Sequence, residues 1–161
     1  MNVAIESRRS LEVIAQYPFA DDTAVISITD SDRPDVELAH SPKNIIRLKF
    51  DDVSDEIYEE VLGRKPSVRE MKTIAESFKM FTDAQAQQIA DFVFSVYNST
   101  NTFICQCEYG QSRSAAVAAA IMEYYYQRGI AVFSDARYYP NKFVYRKLLA
   151  SLQMRGRKRC P

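Results

Sequence analysis

The chain has little of what specialised architectures require. Its 161 residues include four glycines, six prolines, three cysteines and a single histidine. So few glycines and prolines exclude collagen-like and low-complexity chains. Three cysteines, one of them next to the last residue, make a poor disulfide framework and argue against a small secreted scaffold. The lone histidine, His40 in the polar stretch ELAHSPK, supports neither a metal centre nor a Ser-His triad, so no metal and no cofactor is expected. No run approaches the roughly 18 apolar residues of a spanning helix. The opening MNVAIESRRSLEVIAQYPF interleaves Glu6, Arg8, Arg9 and Glu12 with its apolar positions, unlike the unbroken apolar core of a signal peptide. A cytoplasmic protein is the default expectation. An excess of one charge is missing too: 21 Lys and Arg balance 21 Asp and Glu. No global field therefore favours nucleic acid or an anionic membrane, and neither is expected as a partner. The basic end of the chain, 155–161, reads as a solvated, frayed tail.

What is present is the make-up of one folded domain spanning 1–161: 47% hydrophobic, 26% charged and 12% aromatic residues, enough to bury a real core. NVAIES reads as a short strand, followed by a helix over Arg9 to Gln16. TAVISIT (Thr23 to Thr29) is apolar and β-branched, the pattern of a buried parallel strand. ITDSDRPD is rich in turn residues, and NIIRLKF is a third strand running into DDVSDE. Ser54 can cap a helix over DEIYEEVL that Gly63 stops. SVRE (Ser67 to Glu70) and TDAQ (Thr82 to Gln85) have capping-box spacing, and the second opens a helix with Ile89, Phe92, Val93 and Val96 on one face. NTFICQC is a fourth strand, SAAVAAAIMEYYYQRG a helix closed by Gly129, and NKFVYRKLLASLQ the last helix. Strands alternating with helices predict an α/β fold, a mostly parallel central sheet flanked by helices on both faces.

The chemistry concentrates where the fourth strand becomes a helix, at Cys107-Glu108-Tyr109-Gly110-Gln111-Ser112-Arg113-Ser114. Successive amides in such a turn can face inward as a nest, and the first amides of a helix have no intrahelical partner. With the positive end of the helix dipole behind it, the loop is suited to a tetrahedral dianion. The backbone of Glu108, Tyr109, Gly110, Gln111, Ser112 and Arg113 would bind the phosphate, with Gly110 supplying the permissive φ that a ring of inward amides needs. The same field favours the thiolate of a cysteine at the ring's first position, and thiolate is the nucleophilic form. Arg113 returns from the far end and can grip two phosphoryl oxygens bidentately. Nucleophile and clamp then share one anion, which points to phosphoryl transfer through a phosphocysteine intermediate. The alanines behind the loop (Ala115, Ala116 and Ala118 to Ala120) allow close packing of the helix on the sheet.

CEYGQSRS resembles the Cys-x5-Arg-Ser/Thr signature of the cysteine-dependent protein tyrosine and dual-specificity phosphatases. Its place late in the chain is similar to the dual-specificity branch. The resemblance implies Cys107 as nucleophile, Arg113 as phosphate clamp and Ser114 as the hydroxyl that bonds the sulfur and helps it leave. It also implies an aspartate acting as general acid and then general base, a contribution of about 10²–10⁴-fold. In RLKFDDV the family pattern matches Asp52, with Asp51 its immediate rival and Asp55 a third candidate. RYYPNKFVYRKLL resembles the family's late Arg-x-x-x-Asn region, which makes Asn141 a buried cap of the last helix and leaves Arg137 between the pocket rim and the surface. The family's histidine before the nucleophile is replaced here by Gln106.

Other readings remain beside this one. Cys105 shares a strand face with Cys107, either as a small buried hydrophobe or as a redox partner. Glu108 is expected to point its carboxylate away from the anion, and Tyr109 either walls the pocket or does not. The substrate implied is a phosphorylated protein, phosphotyrosine foremost, with a small phosphate ester as the alternative; EYGQS has no lysine to hold a second phosphate. Inorganic phosphate or sulfate should occupy the same loop. CEY also resembles the loop of rhodanese-type phosphatases, and a non-catalytic phosphate-binding module would keep the loop without the turnover.

Overall fold

The computed structural model describes residues 1–54, 59 and 63–157. Strands β1 (Asn2–Ser7), β2 (Thr23–Thr29), β3 (Asn44–Lys49) and β4 (Thr102–Cys107) form one parallel sheet in the order β1-β4-β2-β3. The helices are α1 (Arg8–Ile14), α2 (Val68–Ser77), α3 (Asp83–Val96), α4 (Arg113–Tyr126), α5 (Ile130–Phe133) and α6 (Lys142–Arg157), with a 3₁₀ turn at Tyr97–Ser99. Among the described residues no helix is long and apolar enough to cross a membrane.

The two central strands explain their own sequences. Every residue of β2 is buried, as are the last five of β4, so both faces call for apolar side chains and alternation disappears. On one face, Ala24, Ile26, Ile28, Phe103, Cys105 and Cys107 pack against α3, α4 and α6 through Ile89, Val93, Ala116, Val117, Val144 and Leu148. On the other, Val25 and Ile104 meet Leu11 of α1, and the loop residue Val36 completes the cover. Ala115, Ala116 and Ala118 to Ala120 are all fully buried. Small side chains there bring the α4 axis close to the sheet, which fixes the turn preceding the helix.

Local signals hold at both capping boxes: the side chain of Ser67 accepts from Glu70 N and that of Thr82 from Gln85 N, each reciprocated. The first helix starts one residue earlier than predicted, capped by the hydroxyl of Ser7, and ends at Ile14. The expected stop at Gly129 is not used. Helix α4 ends at Tyr126 and Gln127 takes the left-handed conformation, φ 54°. Gly129 serves a packing purpose instead: a Cβ there would lie 2.7 Å from the Ala119 carbonyl oxygen. The tail is also shorter than the basic run suggested. Helix α6 continues to Arg157, and Arg155 pairs with Asp91 at 2.6 Å. The predicted helix over Asp55 to Leu62 and the residues from Lys158 onward, Cys160 included, lie outside the described residues.

Because the strands are parallel, their carboxyl ends meet at one edge of the molecule, where ligands of open α/β sheets bind. Here that edge gathers Asp30 after β2, Phe50, Asp51 and Asp52 after β3, and Cys107 at the end of β4.

Candidate active site

Strand β4 delivers Cys107, helix α4 begins at Arg113, and the loop between them turns its carbonyls outward. Glu108 O accepts from Arg8 N (3.2 Å), Gln111 O from Tyr139 N (2.9 Å), and Ser112 O from Asn141 N (3.3 Å) and Ala116 N (2.9 Å). In a trans peptide the carbonyl and the following amide point in opposite directions, and the described residues contain no cis bond. The amides of Tyr109, Ser112 and Arg113 therefore face away from those outer partners. None of the six amides from Glu108 to Arg113 donates to an acceptor among the described residues. Six successive N–H groups without a protein acceptor are open to solvent or to an anion. Gly110 makes the curl feasible with φ 70°.

The side chains divide into three groups. Cys107 is 2% exposed, and its sulfur lies 3.1 Å from the Ser114 hydroxyl at the start of α4. Arg113, equally buried, donates from Nη1 to Phe50 O (2.7 Å) and pairs through Nη2 with Asp30 (2.6 Å). Its Nε is a buried donor with no hydrogen-bond partner among the described residues, 3.9 Å from Asp52 Oδ2. The guanidinium is thus held from two strand ends while its Nε–H has no acceptor among the described residues. Asp52 rests against the loop: its Oδ1 accepts from the Ser112 hydroxyl (2.8 Å) and from Asn141 Nδ2 (2.9 Å). A cavity of about 450 Å³ adjoins this edge, lined by Asp30, Ser31, Asp32, Asp51, Asp52, Val53, Ser77 and Phe78.

Asp51, next in the chain, is committed elsewhere. Its carboxylate accepts from Ser31 N, the Ser31 hydroxyl and Lys79 N at 2.8–2.9 Å. Burial works to raise its pKa, but these hydrogen bonds and the Arg113 charge outweigh it and leave Asp51 below the usual carboxylate range. It fastens the loop after β2 to the segment after α2. Asp55 lies outside the described residues.

Glu108 is turned into an arginine pair rather than into solvent. Its side chain is 6% exposed, and both carboxylate oxygens accept from Arg8 Nε at 3.1 Å, with Arg33 at 3.7 Å. Arg8 also reaches Pro34 O at 2.6 Å, so one guanidinium ties the loop to the segment after β2. Removing one member of a buried pair leaves the other charge uncompensated, costing about 3–5 kcal/mol when burial is complete. Because Arg8 is 19% exposed, Arg8→Ala should cost about 2–3 kcal/mol in urea denaturation. The Arg8→Ala/Glu108→Ala double variant should lose less than the two singles added together.

Other expectations resolve simply. Tyr109 is 77% exposed and does not close over the loop. Arg137 is a surface residue paired with Asp135 at 2.6 Å. Asn141 caps α6 through Val144 N (3.1 Å). Cys105 and Cys107 are both free thiols, and burial first, then the neighbouring Cys107, pushes the Cys105 thiol far up its scale, away from thiolate chemistry. Gln106 is fully buried and accepts from the Ser27 hydroxyl at 2.7 Å. Among the described residues no group of His, Cys, Asp and Glu could hold a metal.

Neither Asp30 nor Arg8 is a site candidate from the sequence alone. Asp30 carried one usable signal: it follows a fully buried parallel strand, at the edge where such sheets place their ligands. Arg8 carried none, since its partner is 100 residues away.

No protein-family model and no curated protein matches the sequence. Among solved structures, the crystal structure of PTPMT1 superposes with a TM-score of 0.50 at 12% identity, covering 98% of this chain and 95% of that one. The chain shares the α/β fold of PTPMT1, four parallel strands flanked by helices.

Proposed function

We propose that this protein is a cysteine-dependent phosphatase that hydrolyses phosphomonoesters, protein phosphotyrosine foremost, through a phosphocysteine intermediate. The observation that carries the reading is the run of six amides with no acceptor among the described residues, beginning directly after a buried cysteine thiol and ending at an arginine whose Nε has no hydrogen-bond partner there either. In the first step the Cys107 thiolate attacks phosphorus while the loop amides and Arg113 hold the equatorial oxygens, and Asp52 gives a proton to the leaving oxygen. In the second step water attacks phosphorus, Asp52 takes its proton, and the Ser114 hydroxyl stabilises the departing sulfur. Asp52 is preferred to Asp51 as the acid because both oxygens of Asp51 are engaged by loop-fastening donors.

Hydrolysis of aryl and alkyl phosphates by wild type and Asp52→Asn tests the assignment. Loss of the acid should lower turnover about 10²–10⁴-fold on alkyl esters, whose leaving oxygen needs the proton, and much less on nitrophenyl phosphate. If Asp52→Asn is silent and Asp51→Asn is not, the neighbour is the acid. A wild type that binds phosphopeptide without turnover would be a binding module, and one that turns over small esters but no phosphopeptide would act on metabolites.

A further inference from the structure

Asn141 has more contacts than a helix cap needs. Only 6% exposed, it uses all of its polar groups at once: Oδ1 accepts from Val144 N to start α6, and its backbone N–H donates to Ser112 O of the loop. Its Nδ2 donates to Asp52 Oδ1 at 2.9 Å, with Val53 O at 3.4 Å. Asp52 Oδ1 accepts a second hydrogen bond from the Ser112 hydroxyl. An oxygen with two donors on it is a poor site for a proton of its own, because that proton would displace a donor. The acid proton must therefore sit on Oδ2, the oxygen on the side of Arg113 Nε, 3.9 Å away.

We propose that Asn141 is a positioning residue for Asp52: by occupying Oδ1, its amide assigns the transferable proton to Oδ2 and fixes where that oxygen points. The inference rests on the phosphatase reading above. In the first step the Oδ2–H bond breaks, its proton joins the leaving oxygen, and that oxygen keeps the electron pair of the broken P–O bond as S–P forms. The resulting carboxylate retains both donors on Oδ1. In the second step a water O–H proton goes to Oδ2, the O–P bond forms, and the S–P pair returns to sulfur.

The two duties of Asn141 separate by substitution. Asn141→Asp keeps an acceptor for Val144 N but has no amide to give Asp52. Asn141→Ala loses both and introduces no new charge. Turnover is measured on two aryl phosphates, nitrophenyl phosphate and one whose phenol leaves poorly, with vanadate affinity and thermal melting alongside. Both variants should lose about tenfold to a hundredfold on the poor leaving group and only about twofold to threefold on the good one, since a misdirected acid matters where protonation matters. Vanadate affinity should stay within about twofold in Asn141→Ala, whose melting temperature should fall by the amount expected of a missing cap. Asn141→Asp keeps the cap but sets a second carboxylate against Asp52, and should lose both stability and vanadate affinity by like-charge repulsion. In an Asp52→Asn background, neither substitution should lower turnover on the poor leaving group further. Equal losses on both substrates, or losses that add to those of Asp52→Asn, would reduce Asn141 to a structural cap and overturn the proposal. A wild type that turns over neither ester overturns the phosphatase reading itself and the proposal with it.

Discussion

Cys107→Ser is expected to abolish turnover, by on the order of 10⁴–10⁶-fold, the scale seen when the nucleophile of a covalent mechanism is removed. A serine hydroxyl in the same place keeps its proton at neutral pH and is a far weaker nucleophile toward phosphorus. The rest of the site should survive the exchange. The sulfur touches the Ser114 hydroxyl at 3.1 Å, a contact that an oxygen can reproduce, and exchanging sulfur for the smaller oxygen leaves no cavity of consequence. The loop amides and Arg113 do not depend on the sulfur, so vanadate or inorganic phosphate should bind as well as to wild type or more tightly, with one negative charge fewer in the ring. Calorimetric titration of the variant with phosphate, beside a turnover assay, checks both halves. Residual hydrolysis near wild-type level would place the chemistry on another residue. Loss of phosphate binding together with turnover would mean that the loop is not the anion site.

How much of this was legible beforehand depends on how far each feature's partners lie along the chain. TAVISIT announced a buried strand because every position of β2 is buried, and the pattern needs no knowledge of its neighbours. The capping boxes at Ser67 and Thr82 close within four residues, and both formed. The Cys107–Ser114 loop is nearly as local, since the strand end, the turn and the helix start occupy eight consecutive residues. The stop of α4 was misplaced because Gly129, the expected terminator, is held against the flank of that helix, and Gln127 bore the left-handed turn. The choice between Asp51 and Asp52 could not be derived from spacing alone. Adjacent residues at a strand end point in different directions, and only the fold sets Asp51 against Ser31 and Lys79 and Asp52 against Ser112 and Asn141, the contrast on which the proposal of Asp52 as the acid rests. The order β1-β4-β2-β3 is equally remote from the primary structure. It sets β2 beside β4, and so sets Asp30 beside Arg113 across more than eighty intervening positions.

Gly110→Ala should be the most damaging single methyl group that can be added to the loop. Gly110 has φ 70°, and a Cβ built on it would stand 2.7 Å from Ser7 N, 2.8 Å from Glu6 C and 3.1 Å from Glu6 O. All three atoms are backbone, at the end of a strand that pairs with β4 along its whole length, so none can swing aside as a flexible side chain would. The left-handed conformation costs an alanine about 1–2 kcal/mol and the overlap about 1–3 kcal/mol more, so about 3 kcal/mol of stability should be lost in all. Relief comes only by lifting the loop off β1, which moves the amides out of their curl, and a displacement of about 1 Å at such a site costs about 10²-fold in turnover. Gly63 separates the two terms. It has φ 65° but nothing within 4 Å of its would-be Cβ, so Gly63→Ala should lose about 1–2 kcal/mol and leave turnover alone. Urea denaturation and phosphate titration of the two variants side by side make the comparison. Should Gly110→Ala match Gly63→Ala in stability and in phosphate affinity, the loop would not be braced on β1, and the curl of amides would need another support.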